Sequence, residues 1–376
     1  MGDLHGDYHR LVRLLVEEQV VLPDSLDPNP EANNLDLIFI GDFVDWRGEP
    51  LEGDADDWIA GSARIVNLVL KIHQGFEKLR DTDANFQSYV YPILGNHDEM
   101  MLEAPRIFSI LRESDVELIT SSSNQYSQLR KNLQGMGLTP EHIEIVLRFL
   151  NWYLQGGNVT IQGFGGLKDW FSAMDGELGQ FLREQLRLGV VVNKRLYAHS
   201  MPDLVDFWRP IVEIPELSPE LRDKAKEAYI WGRKLWGFDY ISGTRTRPFT
   251  QKEVEDFLSR VGVAGLVVGH TPMSCPDPYY AFEGKVINID LHGVPGSKAF
   301  IEFYEVDNEP VPAAFVAARY HAPDAPKRLP RLEDKLEIQD TLLLEPSASK
   351  VENGVHTVES EDVSEIDSTS GGIVIL

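Results

Sequence analysis

Five short segments carry residues able to bind metal ions: Gly2-Asp3-Leu4-His5-Gly6, Gly41-Asp42-Phe43-Val44-Asp45, Gly95-Asn96-His97-Asp98, Ala198-His199-Ser200 and Gly269-His270-Thr271. Carboxylate, imidazole and amide oxygen together suit Fe, Mn or Zn. The chain has a single cysteine, Cys275, so a sulfur-rich structural zinc site is excluded, as is an internal disulfide. Two divalent ions roughly 3.5–4 Å apart need one carboxylate that bridges them. Asp42 is the natural bridge, placed between an Asp3/His5 group and an Asn96/His199/His270 group. Taken singly, a Gly-Asp after a strand is usually a turn, and a lone histidine is usually structural. Only the joint occurrence of the five segments argues for a centre.

The elements that must position these residues follow from the apolar pattern. Leu11, Val12, Leu14, Leu15 and Val16 form a stripe at helical spacing directly after the first segment. Asp36 to Ile40 reads as a buried strand that stops at Gly41-Asp42. A long helical pattern follows from Trp58 to Leu79. Tyr89 to Leu94 reads as a strand that stops at Gly95-Asn96. Three of the five segments thus lie at the expected end of a strand. Alternation of this kind predicts an α/β sheet with its functional loops at the carboxyl ends of strands.

From about 104 to 187 the pattern is mainly helical, and Thr139-Pro140 makes a helix start. Strand-like runs return at 190–192, 196–198, 266–268 and 286–289. Thr250 and Glu253 form a capping-box signature. A closing β-rich stretch is expected over 298–306 and 311–317. From about Arg331 onward acidic and hydroxyl residues dominate and aromatics vanish. Residues 331–376 are therefore expected to be a disordered acidic tail behind one domain of residues 1–330.

There are 35 Lys plus Arg against 60 Asp plus Glu, a net charge of −25. That balance opposes general nucleic-acid binding. An anionic substrate is still compatible, because a metal pair supplies local positive charge. No apolar run approaches the roughly 18–20 residues of a membrane span. With one cysteine and no basic-then-apolar leader, the expected compartment is reducing, hence cytoplasmic.

The five blocks resemble the calcineurin-like metallophosphoesterase superfamily, whose pattern is GDxHG, GDxxDRG, GNH[DE], a lone His and GHx. The resemblance implies a four-layer sandwich of two mixed β-sheets flanked by helices, here with a helical insertion over about 104–187. It implies one ion on Asp3, His5 and Asp42, and a second on Asp42, Asn96, His199 and His270. It further implies that Asp45 orients His97 and that His97 protonates the leaving group while a metal-bridging hydroxide attacks phosphorus. The substrate would be a phosphorylated protein or a small phosphoester.

Two departures from the pattern matter. Asp-Arg-Gly reads Asp45-Trp46-Arg47-Gly48 here, with Trp in place of the phosphate-clamping Arg. Arg47 is the first candidate for that clamp and Arg233 the second, with Arg245 and Arg247 weaker. Trp46 either stacks on substrate or packs. The sequence also starts at Met1-Gly2, where the family has a strand before GDxHG. The expectation is a sheet short of one strand, and Asp3 and His5 on a fraying terminus.

Leu94 before Gly95 resembles dinucleoside tetraphosphatases. The long gap to His199 and the Gly284–Asp290 block are closest to Shewanella-like protein phosphatases. His292 reads as a bystander. Dinucleoside tetraphosphate hydrolysis and a catalytically impaired metal-binding scaffold are the alternative functions.

Overall fold

A row of side chains alternating along each strand explains how the sheets assemble. In a strand, successive residues point to opposite faces. The computed structural model describes residues 2–46, 55–121, 131, 133–202, 219–239, 244–273 and 277–291. Arg47, Cys275, His292, the β-rich stretch expected over 298–317 and the acidic tail lie outside them.

Strand β1 (Asp36–Phe39) pairs in parallel with β2 (Tyr89–Pro92), and the 28-residue helix α2 (Ala55–Thr82) lies between them in the chain. This is a βαβ unit, with the helix expected from the periodicity. The second sheet contains β3 (Gly189–Val192), β4 (Arg195–Ala198), β5 (Gly265–Val268), β6 (Tyr279–Ala281) and β7 (Val286–Asn288). Its spatial order is β3-β4-β5-β7-β6. The pairs β4–β5 and β5–β7 are parallel, and the two edge pairs are antiparallel, so the sheet is mixed. The short edge strand β6 carries exposed Tyr279 and Tyr280, and no apolar alternation marks it in the sequence.

Val190, Tyr197, Val267 and Ile287 face one another in register across four strands. With Ile289 they form one cluster with Ile38, Ile40 and Ile93 of the first sheet. This is the core between the sheets. The alternate residues, among them Phe39, Leu196, Leu266 and Val286, belong to a second and larger core beneath the helices. Sheets in the middle and helices outside is the layered α/β arrangement anticipated.

The described residues between β2 and β3 include the helices α3 (Asn96–Glu103), α4 (Glu113–Ser121), α5 (Pro140–Trp152), α6 (Asn158–Gly163), α7 (Leu167–Asp175) and α8 (Glu177–Gln185). Thr139 caps α5 by accepting from the His142 N–H, with Pro140 in the first turn. Helix α9 (Pro219–Trp231) precedes a short antiparallel pair, Phe238–Asp239 with Thr244–Arg245, and α10 (Gln251–Val261) opens with the Thr250/Glu253 capping box. Among the described residues no helix is long and apolar enough to cross a membrane.

The inter-sheet core yields a test. Ile287→Ala should cost about 2–5 kcal/mol of unfolding free energy, seen as a lower denaturant midpoint at unchanged m value. Its register partner Tyr280 is 47% exposed, and Tyr280→Ala should cost within about 1 kcal/mol. Equal costs would refute this placement of the core.

Candidate metal centre

Four of the five segments follow directly on strands: Asp42 after β1, Asn96 after β2, His199 after β4 and His270 after β5. The strand-like runs read from the sequence at 36–40, 89–94, 196–198 and 266–268 fall on these four strands.

Two parallel strand ends meet at a contact that only glycine permits. A Cβ on Gly95 would lie 2.2 Å from Asp42 Oδ1 and 2.3 Å from Asp42 N. The two loops are tied by Asp98, whose Oδ2 accepts from the N–H groups of Asp42 (2.8 Å) and Gly95 (3.0 Å). Its Oδ1 accepts from Phe43 N–H at 2.9 Å. Asp98 had no assigned role from sequence, although an acid at the third position of a helix start is a capping signal.

Asp42 stands in the middle. Its Oδ2 lies 3.4 Å from His5 Nε2, and its Oδ1 lies 3.5 Å from His199 Nε2. The ligand atoms of His5, Asp42 and His97 are mutually within 4.8 Å, as are those of Asp42, His199 and His270. His199 Nε2 also faces Asn96 Oδ1 at 3.0 Å. The other ring nitrogens point to backbone carbonyls: His199 Nδ1 to Ile40 O at 2.6 Å, and His5 Nδ1 to Val44 O at 3.1 Å. Those carbonyls can only accept, so the Nδ1 atoms carry the protons. Each Nε2 then presents a lone pair toward the carboxylate oxygens.

Lone pairs turned on one another at this distance repel unless a cation lies among them. The tautomers are those that ligating histidines adopt, with the second N–H given to a carbonyl. Burial lowers the pKa of His199. Burial, then His199 and Arg233, lowers that of His270 well below the usual value. Both are thus neutral near pH 7, the form that binds metal. The residues present fit divalent ions.

Asp3 is not in either triad. Its Oδ2 accepts from His270 N–H at 2.8 Å, and its buried Oδ1 has no hydrogen-bond partner. Burial, then the neighbouring Asp290 and Asp42 carboxylates, raises its pKa well above the usual range. That is a second sign of a position suited to a cation. Asp290, buried beside Asp3, was not identified as a site residue from sequence.

The expected fraying of Asp3 and His5 is not what the structure shows. Leu4 and His5 N–H both donate to Asp42 O (2.9 and 2.7 Å), and Gly6 N–H donates to Phe43 O (3.0 Å). The buried Arg10 guanidinium reaches Asp3 O from α1 (Tyr8–Glu17). These bonds hold the segment without a strand. The cost of left-handed backbone at His5, Asp42, Asp45 and His270 (φ 44°, 52°, 71° and 67°), roughly 1–3 kcal/mol each, is carried by the same surrounding network.

His97 Nδ1 lies 2.8 Å from Asp45 Oδ2. The second oxygen of Asp45 accepts from Thr160 Oγ at 2.7 Å, and Asp45 N–H donates back to Thr160 Oγ at 3.1 Å. Ser62 Oγ lies 3.3 Å from both Asp45 N and Thr160 Oγ. Thr160 reaches Asp45 because the helix is broken at Tyr153–Gly157, a π turn. There Gly156, at φ +115°, lays its backbone against Asp45, where a Cβ would come within 3.0 Å. Nothing local in the sequence marks Thr160 for this role.

Arg233 Nε donates to His270 Nε2 at 2.9 Å, which places that guanidinium at the centre. Arg247 instead forms a bidentate pair with Glu253 (3.0 and 2.7 Å), and Arg245 lies over the Phe238 ring. Trp46 is buried and packs 6.1 Å from the Trp58 ring, the packing alternative of the two weighed for it.

The profile described as calcineurin-like phosphoesterase matches residues 1–274. Among solved structures, the chain is similar to a cold-active protein tyrosine phosphatase of the psychrophile Shewanella sp., at 17% identity and TM-score 0.45. That match covers 79% of this chain and 72% of the other. It is also similar to a protein serine/threonine phosphatase from Saccharomyces cerevisiae, at 13% identity and TM-score 0.32, covering 76% and 64% of the two chains. No curated protein sequence matches it.

The bonds to Asp98 predict a structural effect that can be measured without metal. Asp98→Ala leaves three buried N–H groups unsatisfied, and should cost about 3–5 kcal/mol in denaturant unfolding with chelator present. A cost below about 1 kcal/mol would show that the loops hold one another without it.

Proposed function

This chain belongs to the calcineurin-like phosphoesterase family, and on that premise we propose that it is a dinuclear metal-dependent phosphatase acting on phosphomonoesters, phosphoserine and phosphothreonine in proteins among them. The observation that carries this reading is the shared carboxylate: one oxygen of Asp42 faces His5 and the other faces His199. One divalent ion, Mn, Fe or Zn, would be held by His5, Asp42 and Asp3, whose buried Oδ1 accepts no hydrogen bond. The second would be held by Asp42, Asn96, His199 and His270. Bound there, the ions would supply Lewis acidity toward water and toward the phosphoryl oxygens.

The chain's own residues do the rest. Asp45 takes Nδ1 of His97 and so fixes the ring, leaving Nε2 to give a proton to the departing alkoxide. Thr160 holds Asp45 by its other oxygen. Without that bond the carboxylate is free to rotate, and the imidazole with it. Arg233, already within hydrogen-bond reach of His270, neutralises charge on the phosphoryl group. Arg47 would be a second cation for the same task.

Two experiments test the reading. The purified chain should hold about two ions. Asp42→Asn should lower metal content and abolish turnover of a phosphopeptide and an aryl phosphate with added Mn. No bound metal, or no turnover of either ester by the wild type, overturns the proposal. Faster hydrolysis of a dinucleoside tetraphosphate would replace the substrate class.

Thr160→Val should lower kcat about tenfold or more, the worth of one hydrogen bond to a charged group, with KM and metal content unchanged. Thr160→Ser should restore it. A purely structural role for Thr160 would leave kcat unmoved in the folded protein.

A further inference from the structure

Beside the centre lies a cleft of about 260 Å³ between three helices, α3, α5 and α9. It is joined to the site at two places. Helix α3 begins with Asn96 and His97, and its residues Met100 and Glu103 line the cleft one and two turns further along. Helix α9 ends at Trp231, whose ring meets His270 edge-on at 6.1 Å and whose side chain also lines the cleft. Helix α3 and the Trp231 ring thus connect the lining of the cleft with Asn96, His97 and His270.

The chemistry of the walls is specific. Met100 and Trp231 give apolar and aromatic surface. Glu99, Glu103, Glu144 and Glu227 stand against Arg106 and Arg148. Arg106 pairs with Glu103 at 3.0 Å and approaches Glu141 at 4.0 Å. Arg148 pairs with Glu144 at 3.5 Å, and Lys226 pairs with Glu99 at 2.6 Å. Lys226 also approaches Asp223 at 3.9 Å, so over this set six carboxylates face three cations; a bound group of positive charge is favoured and a phosphate chain is opposed.

We propose that this cleft binds a lysine or arginine side chain of a phosphorylated protein substrate, close in sequence to the phosphorylated residue. The proposal rests on the phosphatase reading above and names its substrate class. A long basic side chain lays its methylenes on Met100 and Trp231 and sets its charge among the glutamates. From His97 to Glu103 helix α3 rises roughly 10 Å, which an extended peptide spans in about three residues. The basic residue therefore lies within about three positions of the phosphoester. A dinucleoside polyphosphate would have to pass its own anionic chain along the same wall.

The test compares phosphothreonine peptides that differ only in carrying Lys or Glu within three positions of the phosphate, with an aryl phosphate as the reference ester. The Lys peptides should show a kcat/KM about five- to tenfold higher, the scale of partly exposed charge pairing, and the preference should fade with added salt. The double variant Glu144→Gln, Glu227→Gln changes two exposed residues outside the metal centre. It should bring the ratio of Lys to Glu peptide toward one while aryl phosphate turnover stays unchanged.

Equal rates for the two peptides, or a preference for Glu, would overturn the proposal while leaving the phosphatase reading intact. Failure to hydrolyse the aryl phosphate at all would overturn both.

Discussion

One buried carboxylate organises the centre. Three backbone N–H groups, from Asp42, Phe43 and Gly95, end on Asp98 and close two neighbouring strand ends onto each other. Since the strands are parallel, no hairpin could have joined them, and the tie must be made by a side chain. Asp42 is thereby fixed against Asn96 and His97, with His97 N–H donating to Asp42 Oδ1 at 3.0 Å. The N-terminal segment then hangs from Asp42 O, and Asp3 in turn reaches His270. Each later contact presupposes the earlier one.

The strained backbone of the site makes sense against that network. Four of the residues around the centre lie in the left-handed region, where non-glycine residues are uncommon. A free loop would relax out of it. Here the bonds to Asp98, Val44 and Ile40 over-determine the geometry, so the imidazoles keep their tautomers and directions. A pre-set arrangement of this kind costs stability in the folded state and spares reorganisation when a charged group arrives.

Asp42, Asn96, His199 and His270 were picked out in sequence because two local signals coincide at each: an apolar run of strand length, and a small residue followed by a metal-binding type, or by Asn. The helix α2, the Thr139 cap and the Thr250/Glu253 box were legible from helical periodicity and capping residues. What could not be read is spatial coincidence between distant segments. Thr160 stands 115 positions from Asp45 and meets it only because a π turn redirects the helix. Asp290 is visible as the end of a strand motif, but not as the neighbour of Asp3. The fraying expected at Asp3 and His5 failed for the same reason, since the bonds that hold them come from residues 42, 43 and 270. Strand β6 escaped notice because its tyrosines face solvent.

The hydrogen bond between Asp3 and the His270 amide joins residues 267 positions apart. A chain made from its N-terminus displays Asp3, His5 and Asp42 long before His199 and His270 exist. The loop-closure cost of bringing them together is met only after β5 has been synthesised and added to its sheet. Until then His270 is missing from the group that it forms with Asp42 and His199, so the two clusters that share Asp42 cannot both be complete. A cation held among these side chains would stabilise the folded state over the unfolded one by mass action, and the arrangement would tie its binding to completion of the fold.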